Sequence, residues 1–234
     1  MDEAIRAYSQ AVDAWPQMIS SRLNRSAAYT ARSQDDDLAL ALADADQIIA
    51  AKPEWAIAYN NRGSIRLSMG GSENLALALA DLDKALSLDP ALPEAFLNRA
   101  YVRFQQGLSI AQISSDLTKA LALRPHYANA LNLFCWGYAV EQQPELALPY
   151  CQKAIAADPQ PVFFDSRGLT YSLLGDYPAA IADFKAYLAW LEQQPGEAWH
   201  VPFARRQAWI KILQKGQNPF TPPVLAELRR EFGK

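Results

Sequence analysis

The chain has 234 residues, half of them apolar and a fifth charged, with a formal net charge of −3 and a pI near 5.5. That composition excludes a disordered chain, and the slightly acidic balance leaves no basic surface for a phosphate backbone, so no nucleic-acid partner is expected. No apolar run is long enough to span a membrane, two cysteines are too few for a disulfide scaffold, and Met1-Asp2-Glu3-Ala4 lacks the blocks of a secretory signal. A cytoplasmic setting is the expectation.

Alanine and leucine dominate the apolar set, which favours helix over strand. The first predicted element is a helix over Ala4–Ala14, with Ala4, Tyr8 and Ala11 on one face, closed by Pro16. The pattern returns as Ala41, Ala45 and Ile48 before Pro53, then as Ala78, Leu82 and Ala85 before Pro90. Ile113, Leu117 and Ala120 precede Pro125, and Ala147, Cys151 and Ala154 precede Pro159. A last copy, Ala180, Phe184 and Tyr187, runs about a turn longer before Pro195. The prolines lie 37, 37, 35, 34 and 36 residues apart. Steps of four and three set these side chains on one helical face, small alanines admit a close neighbour, and proline ends the hydrogen-bond ladder.

A second helix precedes each of the later copies. Its marks are Arg22, Arg25, Ser26 and Tyr29, then Tyr59, Arg62, Gly63 and Arg66, then Phe96, Arg99, Ala100 and Arg103. Leu131, Phe134, Cys135 and Tyr138 follow, and then Phe164, Arg167, Gly168 and Tyr171. Gly70-Gly71, Gly107 and Gly175-Asp176 mark turns between paired helices. Beyond Pro195 the period stops. Trp199 to Lys215 carries Phe203, Ala208, Trp209, Ile212 and Leu213 at helical spacing, and Thr221-Pro222 opens a helix bearing Val224, Leu225, Leu228 and Phe232.

An aromatic, a small residue, a tyrosine, then A-x3-F-x2-A and a closing proline at this period resembles the tetratricopeptide repeat. The resemblance implies an all-α fold, a right-handed α-solenoid of helix-turn-helix repeats with C-terminal capping helices. Residues 1–16 become a leading unpaired helix, and five repeats occupy about 17–53, 54–90, 91–125, 126–160 and 161–195. Capping helices cover 196–234. Either the leading helix covers the first repeat itself, or a preceding segment or a partner completes it. Asn132-Leu133-Phe134-Cys135-Trp136, Cys151, Asp165-Ser166-Arg167-Gly168-Leu169 and the tail Arg205-Arg206, Trp209-Ile210, Leu213, Gly216 and Asn218-Pro219-Phe220-Thr221 are similar to a bacterial module of this kind. In cyanobacteria and Chloroflexi such modules accompany regulatory ATPase, β-propeller or caspase-like domains, which implies a place in a signalling assembly.

Two columns depart from the usual repeat. Arg25, Arg62, Arg99 and Arg167 stand where leucine is usual, and the same copies carry Asp44, Asp81, Asp116 and Asp183. The fourth copy lacks both, with Phe134 and Tyr150 instead. Joint loss predicts that the columns touch in a structural seam, because a guanidinium fork matches a carboxylate. Cys135 and Cys151 take small-core positions in that copy; two packed small hydrophobes are expected. A disulfide stays open if the α-carbons lie within about 7 Å, though a cytoplasmic setting disfavours it.

The first helices of stacked pairs line a concave side. One step round from the packed face lie Asn60 and Ser64, then Leu97, Tyr101 and Phe104, then Asn132 and Trp136, then Asp165 and Leu169. None is basic, which disfavours a clamp for acidic chain ends. Asparagine, leucine and aromatic side chains suit peptide backbone and apolar anchors, with Tyr101 and Trp136 as the anchor candidates. His126 and His200 have no metal-ligand spacing, and no phosphate loop, nucleophile elbow or dinucleotide fingerprint occurs. The expectation is a non-catalytic scaffold without cofactor that binds a protein or peptide. Self-association, and RNA binding by a related helical repeat, are the alternatives.

Overall fold

The computed structural model describes residues 1–34, 36–194 and 199–231. Among the described residues there are thirteen helices and no strand. They fall into two compact units that part between Leu108 and Ser109. The first holds α1 (Asp2–Ala14), α2 (Ile19–Arg32), α3 (Asp37–Ala51), α4 (Ala56–Met69), α5 (Ser72–Leu88) and α6 (Pro93–Gln105). The second holds α7 (Ile110–Leu123), α8 (Ala128–Val140), α9 (Pro144–Ala157), α10 (Pro161–Leu174), α11 (Tyr177–Leu191), α12 (His200–Leu213) and α13 (Pro222–Glu231).

Proline sets where the closing helix of each pair stops. Trp15, Lys52, Asp89, Arg124 and Asp158 cap α1, α3, α5, α7 and α9, and each immediately precedes a proline. Their φ values run from −136° to −158° and their ψ values from 75° to 115°, outside the helical region that a following proline disfavours. Glu192, which caps α11 with no proline next to it, stays helical at φ −59° and ψ −20°. Pro195 and Phe232, both singled out in the sequence, lie outside the described residues. Gly70 and Gly71, at φ 65° and 79°, form the turn from α4 to α5.

The repeated apolar face is the core. Ala41, Ala45 and Ile48 on α3 and Ala78, Leu82 and Ala85 on α5 have no exposure, and neither do Ala147, Cys151 and Ala154 on α9. Leading and closing helices approach closely where the leading one is smallest: a Cβ on Gly63 would lie 2.9 Å from Leu82 Cγ, and one on Gly168 would lie 2.9 Å from Phe184 Cε1. In the first unit α4 packs on α5, α3, α6 and α2. In the second, α8 packs on α9, α10 and α7, α12 packs on α11, and α13 returns to lie against α8.

Candidate functional site

Arginine–aspartate clamps fix the leading helices onto the closing ones. In the first unit Arg25 donates from Nε and Nη2 to the two Asp44 oxygens at 2.7 Å each. Arg62 grips Asp81 at 3.0 and 2.7 Å and reaches back to Asp46 at 2.8 Å, and Arg66 adds a third donor to Asp81 at 2.5 Å. Arg99 reaches back in the same way, to Asp83 at 2.7 Å. In the second unit Arg167 grips Asp183 at 2.7 and 2.8 Å. Asp44, Asp81, Asp116 and Asp183 are all buried. The carboxylate hydrogen bonds outweigh partial burial and hold the Arg25, Arg62 and Arg167 pKa values above the ordinary guanidinium value. These residues are occupied in holding helices together.

The helix pair without the arginine has a different bond set. Phe134 stacks on Tyr150 with ring centroids 4.5 Å apart, and Tyr138 lies 5.9 Å from both rings. Beside them Cys135 and Cys151 are joined in a disulfide with Cα atoms 4.9 Å apart, so the packed-thiol expectation is corrected. Two small side chains on adjoining helices at so short a separation meet the geometric condition for bonding. Thr170 Oγ1 from α10 lies 3.3 Å from Cys151 Sγ.

The sequence-predicted groove positions divide into open and covered ones, and the expectation that all of them line an open groove is corrected for Leu97 and Phe104 as well as for the second unit. In the first unit, Asn60, Ser64 and Tyr101 are half-buried, while Leu97 and Phe104 are buried. Asn98 donates to Asn60 Oδ1 at 3.0 Å, tying α6 to α4 and leaving the Asn60 amide as a donor. Leu23 and Leu67 share the partly exposed side of α2 and α4. In the second unit Asn132, Trp136, Asp165 and Leu169 are all buried, which corrects the expectation that they line an open groove. The chain's own tail covers this side. Arg206 of α12 grips Asp165 of α10 at 3.0 and 2.6 Å. Burial opposes charge on Arg206, but the Asp165 carboxylate outweighs it and raises the guanidinium pKa. Burial, with Asp165 adding to it, raises the Tyr187 pKa, while Arg206 works the other way.

Helix α13 completes the cover. Leu225 and Leu228 are buried, and Arg229 pairs with Glu141, at the end of α8, at 3.1 Å. The same Glu141 oxygen also accepts the Ile110 backbone N–H at 2.8 Å. Arg205 of α12 bonds Glu231 and reaches Glu227 at 3.5 Å. Sequence reasoning placed Leu225 and Leu228 on a buried face but gave no sign that the face belonged to α8. His126 and His200 are exposed, and among the described residues no cluster of metal-ligating side chains and no helix long and apolar enough to cross a membrane occurs.

Paired helices at this period, closed by proline and packed through alanine faces, define the tetratricopeptide-repeat fold, and comparison with solved structures shows the same fold. A thermophilic tetratricopeptide protein from Thermus thermophilus is 17% identical with a TM-score of 0.68, over 81% of this chain and 99% of that one. PilW, a widely conserved type IV pilus biogenesis factor, is 22% identical with a TM-score of 0.63, over 81% and 86%. YrrB, a tetratricopeptide protein with an unusual peptide-binding site, is 18% identical with a TM-score of 0.50, over 85% and 98%. No family model and no curated protein matches the sequence. The chain is an all-α helical-repeat protein of the tetratricopeptide fold.

Proposed function

We propose that the chain is a non-catalytic scaffold that holds a protein or peptide partner against its leading helices, within a bacterial signalling or assembly complex. The observation that carries this reading is the first unit's partly exposed side of α2, α4 and α6. Leu23, Asn60, Ser64, Leu67 and Tyr101 leave it half-open, whereas the sides facing the closing helices are sealed. Apolar anchors beside amide donors suit an extended or helical peptide. A photo-crosslinking residue placed at Asn60, Ser64 or Tyr101 in the native host should trap a partner. The same residue at exposed Leu77, on α5, should not. Equal trapping from Leu77, or none from the three groove positions, overturns the assignment.

The cytoplasmic setting read from the N-terminal sequence is harder to keep. Cytoplasmic reductants hold most thiol pairs open, and the bonded Cys135–Cys151 pair favours an oxidising compartment. Counting free thiols on protein taken from its native source under acid quench distinguishes the two.

Self-association is a second reading, favoured by one observation. Ala4, Tyr8 and Ala11 of α1 are half-exposed, although the same three positions are fully buried on α3, α5 and α9. A second chain seated there would give a mass that rises with concentration and falls back on Tyr8→Asp.

A further inference from the structure

Helix α13 is built as an occupant rather than as a brace. It is ten residues long, too short to persist alone in water, and its buried face consists of Leu225 and Leu228. Its charged anchors are partly open to water: the Arg229 and Glu141 side chains are 27% and 13% exposed, and Arg205 and Glu231 are 30% and 42% exposed. The connection that delivers it turns at Gly216, whose φ is 74°, and is then pinned at Phe220. Phe220 is buried, with its ring 4.7 Å from Trp209 and 6.2 Å from Phe184. Residues beyond Phe220 can therefore leave while α12 stays seated on α11.

The covered surface is also imperfectly matched. A cleft lined by Arg205, Trp209, Val224, Glu227 and Leu228 opens where α12 and α13 meet. On α8, Asn132 Oδ1 is buried with no hydrogen-bond partner among the described residues, one turn before the buried Trp136. Glu141, at the end of the same helix, supplies a carboxylate that receives a guanidinium from α13.

We propose that α13 is a displaceable internal ligand, and that the α8 surface beneath it is a docking site for an amphipathic helix of a partner protein. That helix carries the chemistry α13 displays: two leucine-like side chains three residues apart, an arginine directly after the second, and a carboxylate two residues further on to meet Arg205. The inference rests on the partner-binding reading above and places a second, gated site in the second unit.

The probe is a labelled peptide with the sequence of residues 218–231, titrated into the full-length chain. Wild type should take it poorly, because its own α13 is in place. Arg229→Glu sets a carboxylate against Glu141 and should raise peptide affinity at least 10-fold, with circular dichroism unchanged. Adding Glu141→Arg restores the pair with reversed charges; the gain should vanish, since the peptide arginine now meets a second guanidinium at the end of α8. Leu225→Ser with Leu228→Ser is the second opening variant, and it should also gain at least 10-fold. Equal affinity in wild type and both opened variants overturns the proposal. So does a concentration-dependent dimer of Arg229→Glu that excludes peptide, which would make a second copy the occupant. Partner trapping at Asn60 is independent of α13: if it succeeds while the peptide result fails, only the gated site falls, and if both fail the scaffold reading falls too.

Discussion

The helix pairs α4–α5 and α8–α9 have the same shape and are held by opposite chemistry. In α4–α5 two arginines close on Asp81 while Gly63 lets Leu82 approach. In α8–α9 the same five positions are Phe134, Tyr138, Tyr150, Cys135 and Cys151, and they form a ring stack beside a disulfide. An ionic clamp is directional and fails when one member is removed, because the survivors stay buried and charged. An aromatic stack with a covalent tie has no charge to strand. The α8–α9 pair is also the one whose leading helix packs against α13, and α8 carries more buried residues than any other helix of the second unit. The lesson is that the five positions act as a set: exchanging one alone is expected to be worse than exchanging all.

Breaking the ionic member should have the largest effect. Asp81→Ala leaves Arg62 and Arg66, 20% and 15% exposed, facing each other without their carboxylate. The expected loss is about 3 kcal/mol, the low end for breaking a buried pair, because Asp46 still receives Arg62. Urea unfolding of Asp81→Ala, Arg62→Ala and the double variant measures it. Coupling near zero between the two sites would show that the clamp contributes nothing.

The covalent member should respond to reductant instead. Opening the Cys135–Cys151 bond, with its sequence separation of 16, should cost about 3 kcal/mol or slightly less. Amide exchange should quicken in α8 and α9 on reduction and stay unchanged in α4 and α5. Equal quickening in both pairs would mean that the bond does not act locally.

Most of this fold was legible in the sequence because its signals are local and repeated. A proline disfavours helix in the residue before it, and at Trp15, Lys52, Asp89, Arg124 and Asp158 that local signal coincides with the helix end, although Pro149 is carried inside α9. The Arg and Asp columns were legible for a different reason: their joint replacement at Phe134 and Tyr150 exposes a contact that neither position reveals alone. The site was less legible. Asn60 and Asn132 hold the same place in their helices, yet one is half-open and the other covered. α8, unlike α4, has α13 packed against it, a non-repeating segment whose leucines announce a buried face without naming its partner. The cysteines failed for a related reason, since small packed thiols and a disulfide want the same close helix approach.

Exchanging the chemistry in part sharpens the comparison. Tyr150→Asp sets a carboxylate at this half-buried position against Phe134 and Tyr138 with no guanidinium to receive it, at a cost of about 1 kcal/mol. Adding Phe134→Arg rebuilds the pair seen at Arg62 and Asp81 and should recover at least half of that loss. Urea midpoints of the single and double variants give the answer. A double variant no better than Tyr150→Asp would show that the five positions do not exchange as a set.

Acid should produce the smallest effect and separates the two units once more. The hydrogen bond from Arg205 holds the Glu231 pKa below its ordinary 4.5, and the bond from Arg32 holds that of Asp37 below its ordinary 3.8. A carboxylate with a depressed folded pKa stabilises fully above the unfolded value and stops doing so as pH falls through the folded one. Glu231 therefore loosens its hold on α13 as pH falls through its depressed folded value, whereas Asp37 in the first unit also accepts the Gln34 backbone N–H and has that further bond to lose. Glu231 is exposed enough for solvent to screen the pair, which limits its contribution to well under about 1 kcal/mol. The change should appear in the Leu225 and Leu228 methyl resonances while those of α2 and α3 hold still. Movement of the α2 and α3 signals first would reverse the assignment of the weaker ionic anchor to the tail.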